Sequence, residues 1–354
     1  MNDGKAFTLF SEIIGQDRAI GFLKGVISKG KVPHAYLFTG PSGVGKTTTA
    51  MALAQTLNCQ NPSAGQGCSQ CLTCRQIANG SFPDLTLLEP QGQNIKIQQI
   101  RELNRALSFK RVSGRYRICV LRGADTMTDE AANSFLKTLE EPFPGNIFVL
   151  NVMEPLNLLP TILSRCQRIS FRPIPVDAIE RWLREKKGLD QETSGLLARV
   201  SQGSLGMAVR MSEGDYLEKR RDYLFKLLQI PNISYEKLLE MALECAEEQK
   251  TRSADEFSIK ERGMMDPLSV WKTWYRDLIV IKMDGLKDLL INFDFSHKLQ
   301  DMRKNYSIKN LIESFMILDR AQRDLQRARN LDLIMENTLM SLKRLSNQKS
   351  LEDE

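Results

Sequence analysis

The sequence predicts an α/β fold with a parallel sheet, followed by an all-helical second half. Three observations support this prediction. Short apolar runs alternate with helical patterns up to about residue 175, a glycine-rich turn ending in lysine and threonine follows the first run, and no strand pattern follows Pro175. Strands that alternate with helices are typical of a parallel sheet with helices packed on its faces.

The predicted strands are four short apolar runs, at 35–39, 85–88, 116–121 and 146–152. One helical pattern precedes the first run, within residues 1–30, and others lie between the runs, at 47–57, 95–107 and 131–139. Because a crossover between parallel strands needs a dozen or more residues, this alternation favours a parallel sheet.

The second half is predicted to be helical throughout. Residues 176–210 form three short helical patterns punctuated by glycines, and helical patterns continue from about residue 215 to 345. In the segment 308–327 the apolar side chains follow one helical stripe, made of Leu311, Phe315, Leu318 and Leu325. Such a stripe at helical spacing is typical of a core-facing helix.

Composition excludes several classes of protein. A length of 354 residues suggests two or three domains. The net charge of +6 is too mild for a tail-driven nucleic-acid binder. The sequence contains no run of about 18 apolar residues, so we expect no membrane span. The first residues lack the charged and apolar regions of a secretory signal, so we expect a cytoplasmic location.

The glycine-rich turn matches the phosphate-loop motif G-x-x-x-x-G-K-[ST] between a predicted strand and a predicted helix, which is the context that this motif requires. Its glycines let backbone N–H groups face an anion, its lysine reaches phosphates, and its threonine hydroxyl can bind Mg²⁺. A glycine-rich turn without a ligand is the alternative. The predicted nucleotide contacts are Gly40, Pro41, Ser42, Gly43, Val44, Gly45, Lys46, Thr47 and Thr48.

The acidic residues that ATP hydrolysis requires are missing from the expected place. An ATPase with this loop uses an Asp to hold Mg²⁺ and an acidic residue that polarises water, at the end of a neighbouring strand. The strand at 116–121 ends instead in Arg122 and Gly123. The sequence therefore predicts phosphate binding with little hydrolysis. The alternative is that Asp125, or the pair Glu140 and Glu141, supplies the acid.

Four of the seven cysteines lie within sixteen residues and predict a metal site. They are Cys59, Cys68, Cys71 and Cys74. Two Cys-x-x-Cys steps and a more distant cysteine can surround a tetrahedral ion, which favours structural zinc. An iron–sulfur cluster, a redox pair or no metal are the alternatives. Cys119 and Cys245 are interpreted as buried apolar residues.

The chain resembles the clamp-loader subunits of bacterial DNA polymerase III, which belong to the AAA+ class. The likeness rests on the phosphate loop, on the four-cysteine module and on the segment Leu163, Ser164, Arg165 and Cys166. The likeness covers about residues 8–210 and extends to 10–16, 82–84, 95–103 and 132–142. This resemblance implies three domains: an ATPase-like domain over 1–172 with the zinc insert at 58–75, a small helical lid over 173–210, and a helical collar over 211–345. Residues 346–354 are expected to fray.

Three departures distinguish types of subunit within this family. The motor types, gamma and tau, carry the acidic strand end, a phosphate-sensing threonine on the next strand, and an arginine after a Gly-Ser step. This chain has Arg122 and Gly123, no threonine in 150–153, and Gly206 in place of the arginine. It therefore resembles the stator type, delta-prime, more than the motor type. A motor subunit of the gamma or tau type is the alternative function.

The resemblance also implies partners and a role for Arg165. The partners are gamma or tau and delta subunits in a pentameric ring, which loads a sliding clamp onto primed DNA, with no membrane involved. Arg165 is an arginine finger that completes a neighbour's ATPase site; a salt bridge within the domain is the alternative. ATP with Mg²⁺ is expected to bind without hydrolysis, so the chain's own ATPase activity is expected to be absent or very weak.

A third hypothesis is an unrelated phosphate-loop protein that binds nucleic acid through a basic patch. The two best patches are Lys110, Arg111, Arg115 and Arg117 before the helical half, and Arg320, Arg323, Arg327 and Arg329 within it. Each is also typical of a solvated face or a subunit contact. The mild net charge argues against strong binding of DNA by this chain alone.

Overall fold

The computed structural model describes residues 9–252, 266–326 and 330–347. The chain divides into two compact units. The first comprises Met1–Ile179 and Gln202–Gly206, and the second comprises Glu180–Ser201 and Met207–Glu354. The division into domains at 1–172, 173–210 and 211–345 stays a prediction.

The first unit is built on a five-stranded parallel sheet, which confirms the predicted fold class. The strands are β1 (Ala35–Thr39), β2 (Leu85–Leu88), β3 (Arg117–Arg122), β4 (Asn146–Val152) and β5 (Gln167–Ser170). Their order across the sheet is β2-β3-β4-β1-β5, so β4 lies between β3 and β1. The carboxyl ends of these three strands therefore meet at one edge.

Helices cover both faces of this sheet. They are α1 (Asp17–Ser28), α2 (Lys46–Asn58), α3 (Leu72–Ala78), α4 (Ile97–Leu107), α5 (Asp129–Glu140) and the short α6 (Pro160–Leu163). Alternate residues of β1 enter opposite cores: Tyr36 and Phe38 pack in the core that includes α2, and Ala35 and Leu37 pack in the core that includes α5. Burial on both faces explains why the strands read as continuous apolar runs.

Helices make up the second half, as predicted. They are α7 (Val176–Lys187), α8 (Gln191–Val200), α9 (Leu205–Glu213), α10 (Tyr216–Gln229), α11 (Tyr235–Arg252), α12 (Pro267–Lys282), α13 (Ser296–Met302), α14 (Ile308–Gln326) and α15 (Leu331–Asn347). The core of the second unit contains Trp271 and Trp274 of α12, both fully buried. The Trp271 indole donates to the Tyr223 carbonyl at 2.8 Å, which satisfies its buried N–H group.

The predicted stripe on α14 faces this core. Leu311 and Leu318 are buried, and Phe315 and Leu325 pack against them. In the basic patch of the second half, Arg320 and Arg323 are exposed. Arg327 and Arg329 lie outside the described residues, as does the predicted tail from residue 348 onward. Among the helices that the structure describes, none is long and apolar enough to cross a bilayer.

Candidate functional site

The phosphate loop joins β1 to α2 at the carboxyl edge of the sheet, and the nine predicted nucleotide contacts lie together there. Gly43 and Gly45 have φ angles of 70° and 102°. Gly40 has a φ of 144°, and a Cβ built on it would lie 2.3 Å from the Phe171 carbonyl oxygen. The loop conformation therefore requires glycine at these positions.

The outer side of the loop is held by two donors. The Gln16 side-chain amide donates to the Val44 carbonyl at 3.2 Å and to the Arg172 carbonyl at 2.7 Å. The backbone N–H group of Gly206 donates to the Gly43 carbonyl at 2.9 Å. Because the Gly43 and Val44 carbonyls accept these hydrogen bonds from other parts of the chain, the loop conformation is stabilised. Gln16 is 3% exposed. It lies in the 10–16 segment of the family likeness, but the sequence did not indicate its contacts with the loop.

Two side chains of the loop can act on a nucleotide directly. The Lys46 ammonium donates to the carbonyls of Gly40 and Pro41 at 2.5 and 2.6 Å. The Thr47 hydroxyl accepts a hydrogen bond from the Asn151 amide at 3.1 Å. A lysine at the loop mouth and a threonine on the first turn of α2 fit the phosphates and the Mg²⁺ of a bound nucleotide.

β3 ends in Arg122, followed by Gly123, and neither residue supplies an acid. Arg122 is instead paired with Glu89 at 2.6 Å, and both side chains are about half exposed. Asp125 accepts from the backbone N–H groups of Met153 and Glu154 at 3.2 and 3.1 Å. Glu140 pairs with Arg165 at 2.7 Å. Two carboxylates that could have replaced the missing acid are thus engaged in other contacts.

The four predicted cysteine ligands come together between α2 and α3. Their sulfur atoms all lie within 4.8 Å of one another, and Cys59 and Cys71 are 4.0 Å apart. Zinc bonded to four sulfurs at about 2.3 Å separates them by about 3.8 Å. The sulfurs of Cys59, Cys68 and Cys71 also accept backbone N–H groups at 3.2 to 3.5 Å. The donor set therefore fits a tetrahedral metal ion.

Three of these thiols have shifted pKa values. The backbone N–H groups of Cys71 and Gln70 lower the pKa of Cys68 to about 6. Burial raises the pKa of Cys59 and that of Cys74. A metal must therefore displace protons from at least these two thiols when it binds. Cys119 and Cys245 are buried, at 1% and 0% exposure, as predicted.

Arg165 follows α6 and is one-third exposed. Its guanidinium donates to Glu140 at 2.7 Å and to the Thr161 carbonyl at 2.9 Å. The salt bridge within the domain, weighed as an alternative, is thus present. An exposed pair of this kind contributes only about 0–1 kcal/mol, so the guanidinium is not firmly committed to it.

The predicted basic patch before the helical half is wrong in one member. Arg117 is 7% exposed and bonds through its guanidinium to Asp84 at 3.2 Å. It also donates to the carbonyls of Ala106 and Phe109. Lys110, Arg111 and Arg115 are exposed, as expected of a solvated face or a subunit contact.

Part of this chain is similar in sequence to known proteins. Residues 15–175 match the family model described as "DNA polymerase III, delta subunit". The "DNA polymerase III subunit delta'" of Bacillus subtilis (strain 168) is 36% identical over 218 residues, covering 61% of this chain and 64% of that protein. Over this part of its length, the chain is similar to clamp-loader subunits of DNA polymerase III.

Other DNA polymerase III subunits are also similar to part of this chain. The "DNA polymerase III subunit tau" of Bacillus subtilis (strain 168) is 33% identical over 58% of this chain and 35% of its own length. The chain thus matches less than two thirds of either relative. A solved gamma-subunit-related protein from Thermotoga maritima superposes with a TM-score of 0.49 at 19% identity, covering 92% of this chain and 99% of that chain.

Proposed function

We propose that this chain is a delta-prime-like stator subunit of the DNA polymerase III clamp loader, which helps to load the sliding clamp onto primed DNA. The observation that carries the proposal is the intact phosphate loop beside a β3 end made of Arg122 and Gly123. A loop that can bind phosphate without an acid to hold Mg²⁺ or to activate water suits a subunit that binds ATP without hydrolysing it.

The competing function is a gamma- or tau-type motor, since tau proteins are similar to this chain at 32–33% identity. The contacts of Asp125 and Glu140 weigh against it, because each carboxylate already has partners: backbone N–H groups for Asp125 and the Arg165 guanidinium for Glu140. Gly206 weighs against it as well. It stands where the motor type would place an arginine, and its backbone packs against Gly43 of the loop.

The isolated chain is expected to bind ATP and to turn it over negligibly, because no acidic residue stands at the β3 end. Binding is measured with a fluorescent ATP analogue, and turnover by phosphate release. Lys46→Ala serves as the control that removes the phosphate-binding lysine and should abolish binding. Turnover above about 0.1 per second, toward the low end of enzyme rates, would contradict the stator proposal and support the motor.

We further propose that the cysteine cluster holds one structural zinc ion. All four thiolates can bind at once, which leaves no open position for catalysis. The module follows directly on α2, which starts at the phosphate loop, so the metal stabilises the far end of that helix. Zinc is expected to contribute to local folding, and the sheet core has its own buried apolar residues.

One zinc per chain is expected to copurify, as measured by elemental analysis. Cys71→Ser should lose the metal, because a hydroxyl is a poor ligand for a site built of thiolates. Cys245→Ala is the matched control: it removes a buried cysteine of the second unit, and the metal should stay. An iron signature, or a metal content that Cys71→Ser leaves unchanged, would refute the assignment.

The proposed partners are gamma or tau and delta subunits in a pentameric ring, with the clamp and primed DNA reached through that complex. Arg165 would then act on the ATP bound to a neighbouring subunit. Its weak pairing with Glu140 supports this role, since the guanidinium can leave an exposed carboxylate at little cost.

A further inference from the structure

The loop between Cys59 and Cys68 of the cysteine cluster contacts a part of the chain that holds the phosphate loop. Residues 60–67 separate these two cysteines. The sequence indicated no function for them beyond the spacing of metal ligands. Both ends of this loop lie at the cluster, since the Cys68 N–H group donates to the Cys59 sulfur at 3.2 Å. A metal ion bound by both thiolates therefore closes the 60–67 loop.

A tight turn at the tip of this loop carries the Gln66 side chain. Ser63 and Gln66 exchange two backbone hydrogen bonds, each 3.0 Å long. Between them, Ala64 and Gly65 have positive φ angles of 50° and 69°, as in the two-residue turns of β-hairpins. We call this structure the 63–66 turn.

The turn contacts the N-terminal part of the described chain at two places. The Gln66 Oε1 atom accepts a hydrogen bond from the Ser11 backbone N–H group at 3.3 Å. A Cβ built on Gly65 would lie 3.6 Å from the Lys24 Cγ atom, so the stem of this lysine packs on the turn. Lys24 belongs to α1, and Ser11 belongs to the segment 9–16 that precedes it.

Segment 9–16 contacts the phosphate loop at its other end. The Gln16 side-chain amide donates to the Val44 carbonyl at 3.2 Å. A Cβ built on Gly45 would lie 3.7 Å from the Ile13 Cγ2 atom, so the Ile13 side chain lies beside the phosphate loop. Hydrogen bonds and packing thus connect the cysteine cluster to the phosphate loop through the 63–66 turn and segment 9–16.

We propose that Gln66 is a positioning residue for the nucleotide site: by holding Ser11 it fixes segment 9–16 against the phosphate loop, and it does so firmly only while a metal ion closes the 60–67 loop. The inference rests on the proposed ATP binding and on the proposed zinc site. Without the metal ion, the loop gains conformational freedom, and Gln66 spends less time at Ser11. Zinc and nucleotide should then strengthen each other's binding by the same factor, because coupling between two sites is reciprocal.

The test measures the affinity for a fluorescent ATP analogue in Mg²⁺, using the full chain with zinc bound and after zinc removal under reducing conditions. The wild type is expected to bind about threefold more tightly with zinc, the effect of one exposed hydrogen bond. Gln66→Ala should bind with one affinity in both states, that of the zinc-free wild type. Gln66→Glu should keep the zinc effect, because a carboxylate also accepts from the Ser11 N–H group.

Gln60→Ala is the matched control. Gln60 is an exposed glutamine of the same loop, next to Cys59, and its replacement leaves the acceptor for Ser11 in place. This variant should show the wild-type zinc effect. Elemental analysis checks that each variant holds its zinc, and thermal unfolding checks that each is folded.

Two further measurements follow the same contact. Zinc affinity, measured by competition with a chromophoric chelator, should rise by about the same threefold when the ATP analogue saturates the wild type, and should stay constant in Gln66→Ala. Hydrogen exchange of the Ser11 amide should become faster when zinc is removed from the wild type, and it should be equally fast in Gln66→Ala with zinc bound.

The outcomes separate this inference from the two proposals on which it rests. If Gln66→Ala keeps the zinc effect, the coupling runs through α2, which ends beside Cys59, and the role of Gln66 is refuted. The inference is also overturned if the wild type binds equally well with and without zinc, or if Gln66→Ala weakens binding equally in both states; ATP binding and zinc binding then stand. A wild type that binds the analogue no better than Lys46→Ala, or that holds no zinc, refutes the corresponding proposal and the inference with it.

Discussion

Arg165→Ala is expected to silence one ATPase site of the assembled clamp loader while leaving this chain folded and bound to its partners. In phosphoryl transfer the negative charge spreads over the γ-phosphoryl oxygens, and a guanidinium from a neighbouring chain stabilises it. Such an arginine is worth about 10³–10⁵ in rate at its site. The rate of the whole complex should therefore fall by the share that this one site contributes.

The measurement is ATP hydrolysis by the reconstituted complex, stimulated by clamp and primed DNA. Arg165→Lys should fail as well, because an ammonium group does not reproduce the planar guanidinium. Arg168→Ala is the matched control, an exposed arginine three residues further on. Glu140→Gln separates the two roles: it removes the salt bridge within the domain and should leave hydrolysis intact. If Arg165→Ala assembles and hydrolyses at the wild-type rate, Arg165 is structural.

The second large effect is expected at Asp84, which is fully buried. Its carboxylate accepts from the backbone N–H groups of Val112, Ser113 and Gly114 at 2.7 to 3.1 Å and from the Arg117 guanidinium. These contacts stabilise the segment 108–116 between α4 and β3. Asp84→Asn places an amide donor among these donors and leaves the buried guanidinium without its counter-charge, which costs about 3–5 kcal/mol.

Urea unfolding followed by circular dichroism should show this loss of stability, and hydrogen exchange should show faster opening of residues 109–116. Glu89→Gln is the matched control, because it removes a carboxylate from an exposed arginine pair and should change stability by about 1 kcal/mol or less. A variant Asp84→Asn as stable as Glu89→Gln would contradict this account.

The same residue gives a pH dependence. Burial on its own raises the pKa of a carboxyl group, but the backbone donors of Ser113, Gly114 and Val112 outweigh it and lower the pKa of Asp84. A group whose pKa is lower in the folded state stabilises the fold above its unfolded pKa, about 3.9 for Asp. This contribution is lost as the pH falls below that value, and Asp84→Asn should lack it.

Most of the fold could be predicted because the sheet of the first unit is buried on both faces. Its strands therefore appear in the sequence as continuous apolar runs. The predicted strands at 35–39, 85–88 and 146–152 match β1, β2 and β4 to the residue. The third strand, predicted at 116–121, begins and ends one residue later, as Arg117–Arg122. The Tyr116 N–H group bonds to the Asn58 side chain and so leaves the sheet, whereas Arg122 pairs through its backbone despite its charge.

The remaining differences come from contacts between distant parts of the chain. On β5 only Ile169 is buried, so the sequence indicates this edge strand only by a short β-like run at 169–171. Arg117 resembled a surface charge because its partner, Asp84, lies 33 residues earlier. Likewise, Gln16 and Asn151 are ordinary polar residues in the sequence, and only the fold brings them to the phosphate loop. The loop and the cysteines could be predicted because their spacing is local.

The contact between Gly206 and the phosphate loop also bears on the evolutionary history open to such a chain. A Cβ atom at position 206 would lie 3.1 Å from the Gly43 Cα atom, closer than side chains are normally packed. An arginine there requires the Gly43 backbone to shift by a few tenths of an ångström. Without the acids and the sensor that arginine gains nothing, so the intermediate steps offer no advantage to selection. For the proposed stator, the change to a motor subunit therefore needs several substitutions together, and the division of labour within such a complex is difficult to reverse.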